Sequence, residues 1–276
     1  LISGVSSGIG QSAAEIMLQN GWRVYGSVRK PGDSNPLDEK YPDRFHELVF
    51  DVTNTAARKA AVAQVQENGH QLQALVNNAG IAVTGPLETL SEEDYRRQFE
   101  VNVFGLLGLT QDCLPLLHAA KEAGLSPVRI ANVSSVSGLI TNPFTSIYSA
   151  SKFAVESLTD GLRRELFPFG IDVVSIAPGP VKTPIWNKGL NQTAAYQGSR
   201  YEFVLEKFPA YVANAEASAI PAEVVGQRIY EVLSKEKAKA YHLLIPKAWM
   251  IRLVSRLPKR AMDKMAWKRI NANRRY

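Results

Sequence analysis

The sequence predicts an α/β fold: one doubly wound parallel sheet with helices on both faces, followed by a C-terminal helical extension. Three observations predict it. Short apolar runs alternate with helical patterns along most of the chain, and strands separated by helices of about ten or more residues join as right-handed βαβ units, which requires a parallel sheet. The third is size, since 276 residues that are 45% hydrophobic can bury one large core.

Each element has a local reason. Leu1 and Ile2 end a strand, and residues 11–19 read as a helix stopped by Asn20-Gly21. Residues 22–28 and 47–52 read as strands, 55–68 as a helix ending at Gly69, and 72–76 as a strand. Ser91-Glu92-Glu93-Asp94 has the form of a helix N-cap with first-turn acids. Residues 103–123 read as a long helix closed by Gly124, and 128–133 as the strand after it. Residues 148–167 are helical up to Pro168, and 171–176 form a strand ending at Ala177-Pro178-Gly179. A helix opening at Pro221 and a short strand over 242–245 complete the sheet. Residues 31–42 read as a polar loop and 180–220 as an irregular insertion, within one domain over 1–246.

Composition narrows the function classes. The lone Cys113 lies in an apolar stretch, which excludes an internal disulfide and points to a buried thiol in a reducing, cytoplasmic setting. His46, His70, His118 and His242 never fall at a metal-ligand spacing, so no metal site is expected. No run approaches the roughly 18 apolar residues of a membrane span. The net charge of +6 is uneven: residues 247–276 hold ten Lys/Arg and only Asp263, a local +9, whereas the rest has 22 basic and 25 acidic residues.

The turn Ser3-Gly4-Val5-Ser6-Ser7-Gly8-Ile9-Gly10 joins a strand directly to a helix. Glycines there permit a tight turn and close approach to a pyrophosphate, while the helix N-terminus offers free N–H groups. Gly4, Ser6, Ser7, Gly8, Ile9 and Gly10 are therefore candidate phosphate ligands of a dinucleotide. The second strand ends in Val28-Arg29-Lys30 with no acid, and Arg29 suits a 2′-phosphate, so NADP(H) is expected over NAD(H). Asp51 is positioned to accept from an adenine amino group. Asn77 and Ala79, in Asn77-Asn78-Ala79-Gly80, suit either ribose contact or a structural turn. Pro178, the Val181 amide and the Thr183 hydroxyl are candidates to hold a carboxamide.

Tyr148 and Lys152 are four apart at a helix start and project from one face. A free tyrosine titrates near ~10, so a neighbouring ammonium and a positive nicotinamide are expected to lower it toward a working acid/base. Ser135, at the end of the fifth strand, can hold the reacting oxygen. A Tyr-x-x-x-Lys pair alone arises easily on a helix surface.

Taken together, Gly4-x-x-x-Gly8-x-Gly10, Asn77-Asn-Ala-Gly80, Asn102 in Val-Asn-Val, Ser134-Ser135, Tyr148-Ser-Ala-Ser-Lys152 and Pro178-Gly179 resemble the short-chain dehydrogenase/reductase family, in its compact single-domain branch. The resemblance covers about residues 1–185 and implies a Rossmann-type fold and dimers or tetramers. It implies Tyr148 as acid/base, Lys152 as its pKa partner and ribose ligand, Ser135 as substrate-oxygen ligand and Asn102 as holder of a relay water. Ser3 stands where the family has threonine, keeping the hydroxyl. Shorter stretches, Ser27-Val-Arg-Lys30 and the run from Asn142 to Glu156, resemble the NADP-using hydroxysteroid and retinol dehydrogenases. That likeness implies a bulky apolar alcohol or carbonyl substrate, which Trp186, Tyr196, Tyr201, Phe203, Phe208 and Tyr211 of the insertion can enclose, although ordinary core packing explains such aromatics equally well.

Residues 247–276 read as two basic amphipathic helices, the second opened by Pro258. A lid or subunit contact is the first expectation, peripheral contact with anionic lipid the second, and nucleic acid the least favoured. A catalytically silent dinucleotide sensor or scaffold is the alternative to an enzyme, and intact Asn102, Ser135, Tyr148 and Lys152 weigh against it. So does the Gly4-x-x-x-Gly8-x-Gly10 spacing against the related epimerases and dehydratases.

Overall fold

The computed structural model describes residues 1–183, 196–205 and 217–270. Six strands, β1 (Val24–Val28), β2 (Phe45–Val49), β3 (Ala74–Asn77), β4 (Val128–Val133), β5 (Ile171–Pro178) and β6 (Tyr241–Leu244), all pair in parallel. Between β1 and β3 lies Ile2, bridged to Gly26 on one side and Val76 on the other. The order is therefore β2-β1-Ile2-β3-β4-β5-β6, and the direction of winding reverses beside Ile2. The doubly wound expectation holds.

Successive strand residues face opposite sides, and each side has its own helices. Val24, Val76, Ala131 and Val174 pack under α1 (Gly8–Gln19) and α7 (Ala222–Ser234). Their neighbours Tyr25, Leu75, Ile130 and Val173 pack under α3 (Thr55–Glu67), α5 (Leu106–Glu122) and the end of α6 (Ser146–Leu166). Nearly unbroken apolar runs in the central strands are what a sheet covered on both faces requires.

Three expectations change. The polar segment 31–42 contains a short helix, α2 (Asn35–Lys40), whose Leu37 is buried in the core while its acids face water. The third predicted strand, over 47–52, shifts to Phe45–Val49, because parallel pairing of Val24 with Phe45 sets its register. The helices expected near 91 and over 103–123 are continuous: α4 (Glu92–Phe99) runs through a π-helical segment (Glu100–Gly105) into α5. That continuous helix is long and apolar enough to cross a membrane by length and composition. Here its Leu109, Cys113, Leu117 and Ala120 are sealed against the sheet, which makes it a core helix. Burial pushes the Cys113 thiol up to about 12, so it is a packing residue.

The insertion is pinned at its base, where Val181 bridges Ile220, Lys182 N–H donates to the Ile220 carbonyl at 3.0 Å and Ile220 N–H to the Pro180 carbonyl at 2.9 Å. Trp186, Phe208 and Tyr211 lie outside the described residues. Beyond β6, α8 (Ala248–Val254) and α9 (Lys259–Ile270) are the two expected helices of the extension.

One buried cation ties a strand to a covering helix. Arg129 of β4 pairs with Asp172 of β5 at 2.8 Å and donates to the carbonyls of Val232, Lys235 and Glu236 at the end of α7. Arg129→Ala should orphan those acceptors and lower the unfolding free energy by about 3 kcal/mol. Urea unfolding followed by circular dichroism measures it.

Candidate active site

The site forms at the carboxyl ends of the strands, beside the winding reversal. Its floor is the glycine turn. Gly4 and Gly8 have φ of +75° and +64°, and a Cβ on Gly10 would sit 2.1 Å from the Gly4 carbonyl oxygen, so a side chain there would break the turn. Asn78 locks it in place, donating through Nδ2 to the carbonyls of Ser3 and Gly4, both at 2.9 Å. The Ser3 hydroxyl accepts from the amides of Asn78 and Ala79 at 3.0 Å each. This accounts for the hydroxyl at position 3.

Helix α1 starts at Gly8, and its N-cap Ser7 makes no side-chain capping bond. First-turn N–H groups and the Ser7 hydroxyl therefore remain available to an anion, and Thr183 closes over them, with Cγ2 2.9 Å from where a Gly8 Cβ would lie. These features fit a pyrophosphate. Arg29 is exposed one residue past β1, and among the described residues no ion pair engages it. Asp51 uses Oδ1 to accept from the Thr53 amide at 2.9 Å and hydroxyl at 2.7 Å, which leaves Oδ2 for a ligand.

Asn77 is corrected. Its side chain is 3% exposed and donates to Thr110 Oγ1 at 2.9 Å and Asn132 Oδ1 at 2.8 Å, within the sheet rather than the cleft. The structural alternative wins, because its position in β3 directs the amide toward Asn132 in register on β4.

Tyr148 and Lys152 are carried on the first two turns of α6, with Ser135 at the end of β4 facing them. Burial pushes the Tyr148 phenol above its usual value, and a hydrogen bond with Ser135 draws it back. Lys152 Nζ lies 5.9 Å from the centroid of the Tyr148 ring and donates to the Val133 carbonyl at 2.8 Å. Within the protein alone desolvation is the larger influence on the phenol and the Ser135 hydrogen bond the opposing one. The same burial lowers Lys152 to about 8, partly opposed by Glu156.

Asn102 sits in the π-helical segment, 2% exposed. Its side chain is spent on the structure: Oδ1 accepts from the Ile81 amide at 2.9 Å, and Nδ2 donates to the Ile81 carbonyl at 3.0 Å and Ser151 Oγ at 3.2 Å. Nearby, Gln98 spans Ile81, Val83 and Ser151, so helix α4, the segment after β3 and helix α6 are bolted together.

Two residues with no role assigned from the sequence, Glu156 and Phe144, belong to the site's support. Glu156 follows Lys152 by four residues, accepts from Ser175 Oγ at 2.8 Å and is held up by burial, with Ser134, Ser175 and Lys152 pulling it down. Ser134 thus lies beside Glu156. The signal for Glu156 is the i, i+4, i+8 spacing Tyr148, Lys152, Glu156. Phe144, four residues before Tyr148, adopts φ +65°, a left-handed backbone costing about 1–3 kcal/mol for such a side chain. Its ring meets Tyr196 at 5.6 Å, Tyr201 at 5.7 Å and Trp267 of α9 at 6.4 Å. No local pattern reveals that contact, because it joins residues far apart in sequence.

Residues 1–194 match the short chain dehydrogenase family. The chain belongs to the short-chain dehydrogenase/reductase family. It is similar to an NADPH-dependent 3-dehydrocapnine reductase of Ornithobacterium rhinotracheale, 40% identical over 97% of this chain and 95% of that protein. A 3-ketodihydrosphingosine reductase of Bacteroides thetaiotaomicron is 36% identical over 66% of this chain and 64% of that protein. Among solved structures, a short-chain dehydrogenase from Streptomyces avermitilis superposes with a TM-score of 0.78 at 27% identity, covering 100% of this chain and 97% of the other. This short-chain dehydrogenase/reductase is accordingly an oxidoreductase with a Rossmann-type fold, and the residues gathered above are its candidate machinery.

The electrostatics predict a pH profile. Lys152 is expected to lose its proton near 8, so kcat/KM for NADPH should fall above that pH. Glu156 is the facing carboxylate, with Asp160 and Tyr241 nearby. Glu156→Gln removes the charge that favours the ammonium, so the descending limb should move to lower pH. An unmoved limb would leave Glu156 with a packing role alone.

Proposed function

We propose that the chain is an NADP(H)-dependent reductase of a ketone or aldehyde, reversible as an alcohol dehydrogenase, acting on a bulky apolar, lipid-like substrate. The observation that carries the reaction is the meeting of Ser135, Tyr148 and Lys152 beside a phosphate-ready turn. The bound nicotinamide supplies or accepts the hydride. The chain's own residues manage the oxygen and its proton. Ser135 Oγ holds the carbonyl oxygen, Tyr148 Oη delivers a proton to it as charge develops, and the Lys152 ammonium stabilises the phenolate left behind. Asn102 contributes through its main chain, which can hold a water on the path that returns the proton.

Preference for NADP(H) over NAD(H) is supported by Arg29 in place of an acid and by the NADPH dependence of the similar 3-dehydrocapnine reductase. A lipid-like ketone is supported by the names of the two similar reductases and by the rings of Phe144, Tyr196, Tyr201 and Trp267 near the catalytic helix. Steroids and retinoids belong to the same bulky apolar class. The active form is a homodimer or homotetramer. Phe104 and Phe153, 54% and 44% exposed on contacting segments of the π-helix and α6, offer an apolar face for it. The setting we infer is cytoplasmic, with peripheral lipid contact through the extension.

Tyr148→Phe should abolish turnover, lowering kcat by about three orders of magnitude or more, while the Kd for NADPH from fluorescence titration stays nearly unchanged. Retained turnover would refute the proton-transfer role. Arg29→Asp should shift the ratio of kcat/KM for NADPH over NADH toward NADH by about tenfold or more, the scale of one charge-assisted contact. An unaltered ratio would remove Arg29 from the phosphate site.

A further inference from the structure

The C-terminal extension has an inner and an outer side. On the inner side, Trp267 of α9 meets Phe144 of the active-site loop, and the Arg252 guanidinium of α8 lies 6.0 Å from the centre of the Tyr241 ring. Outward, α8 presents Trp249 and Leu253, 67% and 60% exposed and one helical turn apart, with Met250 between them at 42%. Exposed Lys247, Arg256, Lys259 and Arg260 flank this patch along the chain, and α9 adds exposed Lys264, Lys268 and Met265. The single acid of the extension, Asp263, sits 3.5 Å from Arg260. A large apolar side chain held in water among cations calls for a partner that takes both.

We propose that this face docks the enzyme on an anionic lipid surface, with Trp249, Met250 and Leu253 entering the headgroup boundary and the surrounding Lys and Arg on the acidic headgroups. Charge selects this occupant. A second copy of the same face would set its exposed Lys and Arg against their own copies across the contact, which like charges oppose. A nucleic acid would accept the cations and leave Trp249 and Leu253 in water. An anionic bilayer satisfies both, and tryptophan in particular favours the depth where apolar chains meet polar headgroups. Helix α9 of the extension also touches Phe144 through Trp267, so docking of the extension would hold the active-site loop close to the lipid. This sharpens the peripheral contact inferred above and is independent of the substrate, because lipid binding is read on the protein alone.

The test is flotation of the full chain with vesicles of phosphatidylcholine containing phosphatidylglycerol, and with phosphatidylcholine alone, at low and high salt. Binding should require the anionic lipid, weaken at high salt, and bring a blue shift in tryptophan emission that Trp249→Phe diminishes. The double variant W249S/L253S should bind about tenfold or more weakly, as expected for losing two interfacial apolar anchors, while its melting temperature stays within a degree or two of the parent's, the ordinary result for exposed positions. A second double variant, K259E/R260E, should weaken binding to the anionic vesicles alone. Three results would overturn the proposal: no flotation with anionic vesicles, equal flotation of W249S/L253S, or a dimer seen by light scattering that dissociates in W249S/L253S while vesicles remain unbound.

Discussion

The two halves of the sheet meet along Leu1, Ile2 and Ser3, with Ile2 bridged to both. Ile2 N–H donates to the Tyr25 carbonyl at 2.8 Å, the Ser27 amide returns a bond to the Ile2 carbonyl at 2.9 Å, and Val76 N–H reaches the Leu1 carbonyl on the other side at 2.8 Å. Directly after this bridge the chain must turn into α1, and Ser3, Gly4 and Asn78 hold the turn across the same seam. The phosphate-ready helix N-terminus is therefore positioned by the residue that joins the half-sheets. A turn anchored on one half alone would leave it free to drift relative to β4 and α6, which carry Ser135, Tyr148 and Lys152.

Burial governs the chemistry of that second half. A phenol and an ammonium side by side in water would keep near-ordinary proton affinities, but within the protein the charged forms lose solvation. The phenol rises and the ammonium falls toward about 8. Glu156, one helical turn farther along α6, is the nearby opposite charge that keeps Lys152 from falling further, and Ser175 holds its carboxylate from the neighbouring strand. Tyr148, Lys152 and Glu156 thus act from one face of one helix. The π-helical segment around Asn102 and the amide bonds of Gln98 fix that helix against the loop after β3. Irregular helical geometry of this kind is frequent where a function is built.

The insertion and the extension converge on one strained residue beside the catalytic helix. Phe144 lies in the loop between Ser135 and Tyr148, holds a left-handed backbone, and accepts from the Gly85 amide at 2.8 Å. Its ring is where the insertion, through Tyr196 and Tyr201, and the extension, through Trp267, come together. Whatever binds above Tyr148 is bordered by elements that lie outside the sheet, and the outer side of the same extension remains open to a further partner.

By itself the sequence determined the winding of the sheet, the glycine turn before α1 and the positions of Ser135, Tyr148 and Lys152. These are encoded by short-range signals: apolar periodicity, glycine where no side chain fits, and hydroxyl, phenol and amine at helical or strand-end spacing. It located α8 and α9 by the same means, and it left Asn77 open between two roles. Only the tertiary structure settled that Asn77 belongs to the sheet, that the Asn102 side chain is spent on Ile81 and Ser151, that Glu156 backs Lys152, and that Trp267 reaches Phe144. Each of these rests on a contact between residues whose neighbourhood is created by folding, and desolvation, which sets the proton affinities of the site, exists only once those contacts have excluded water.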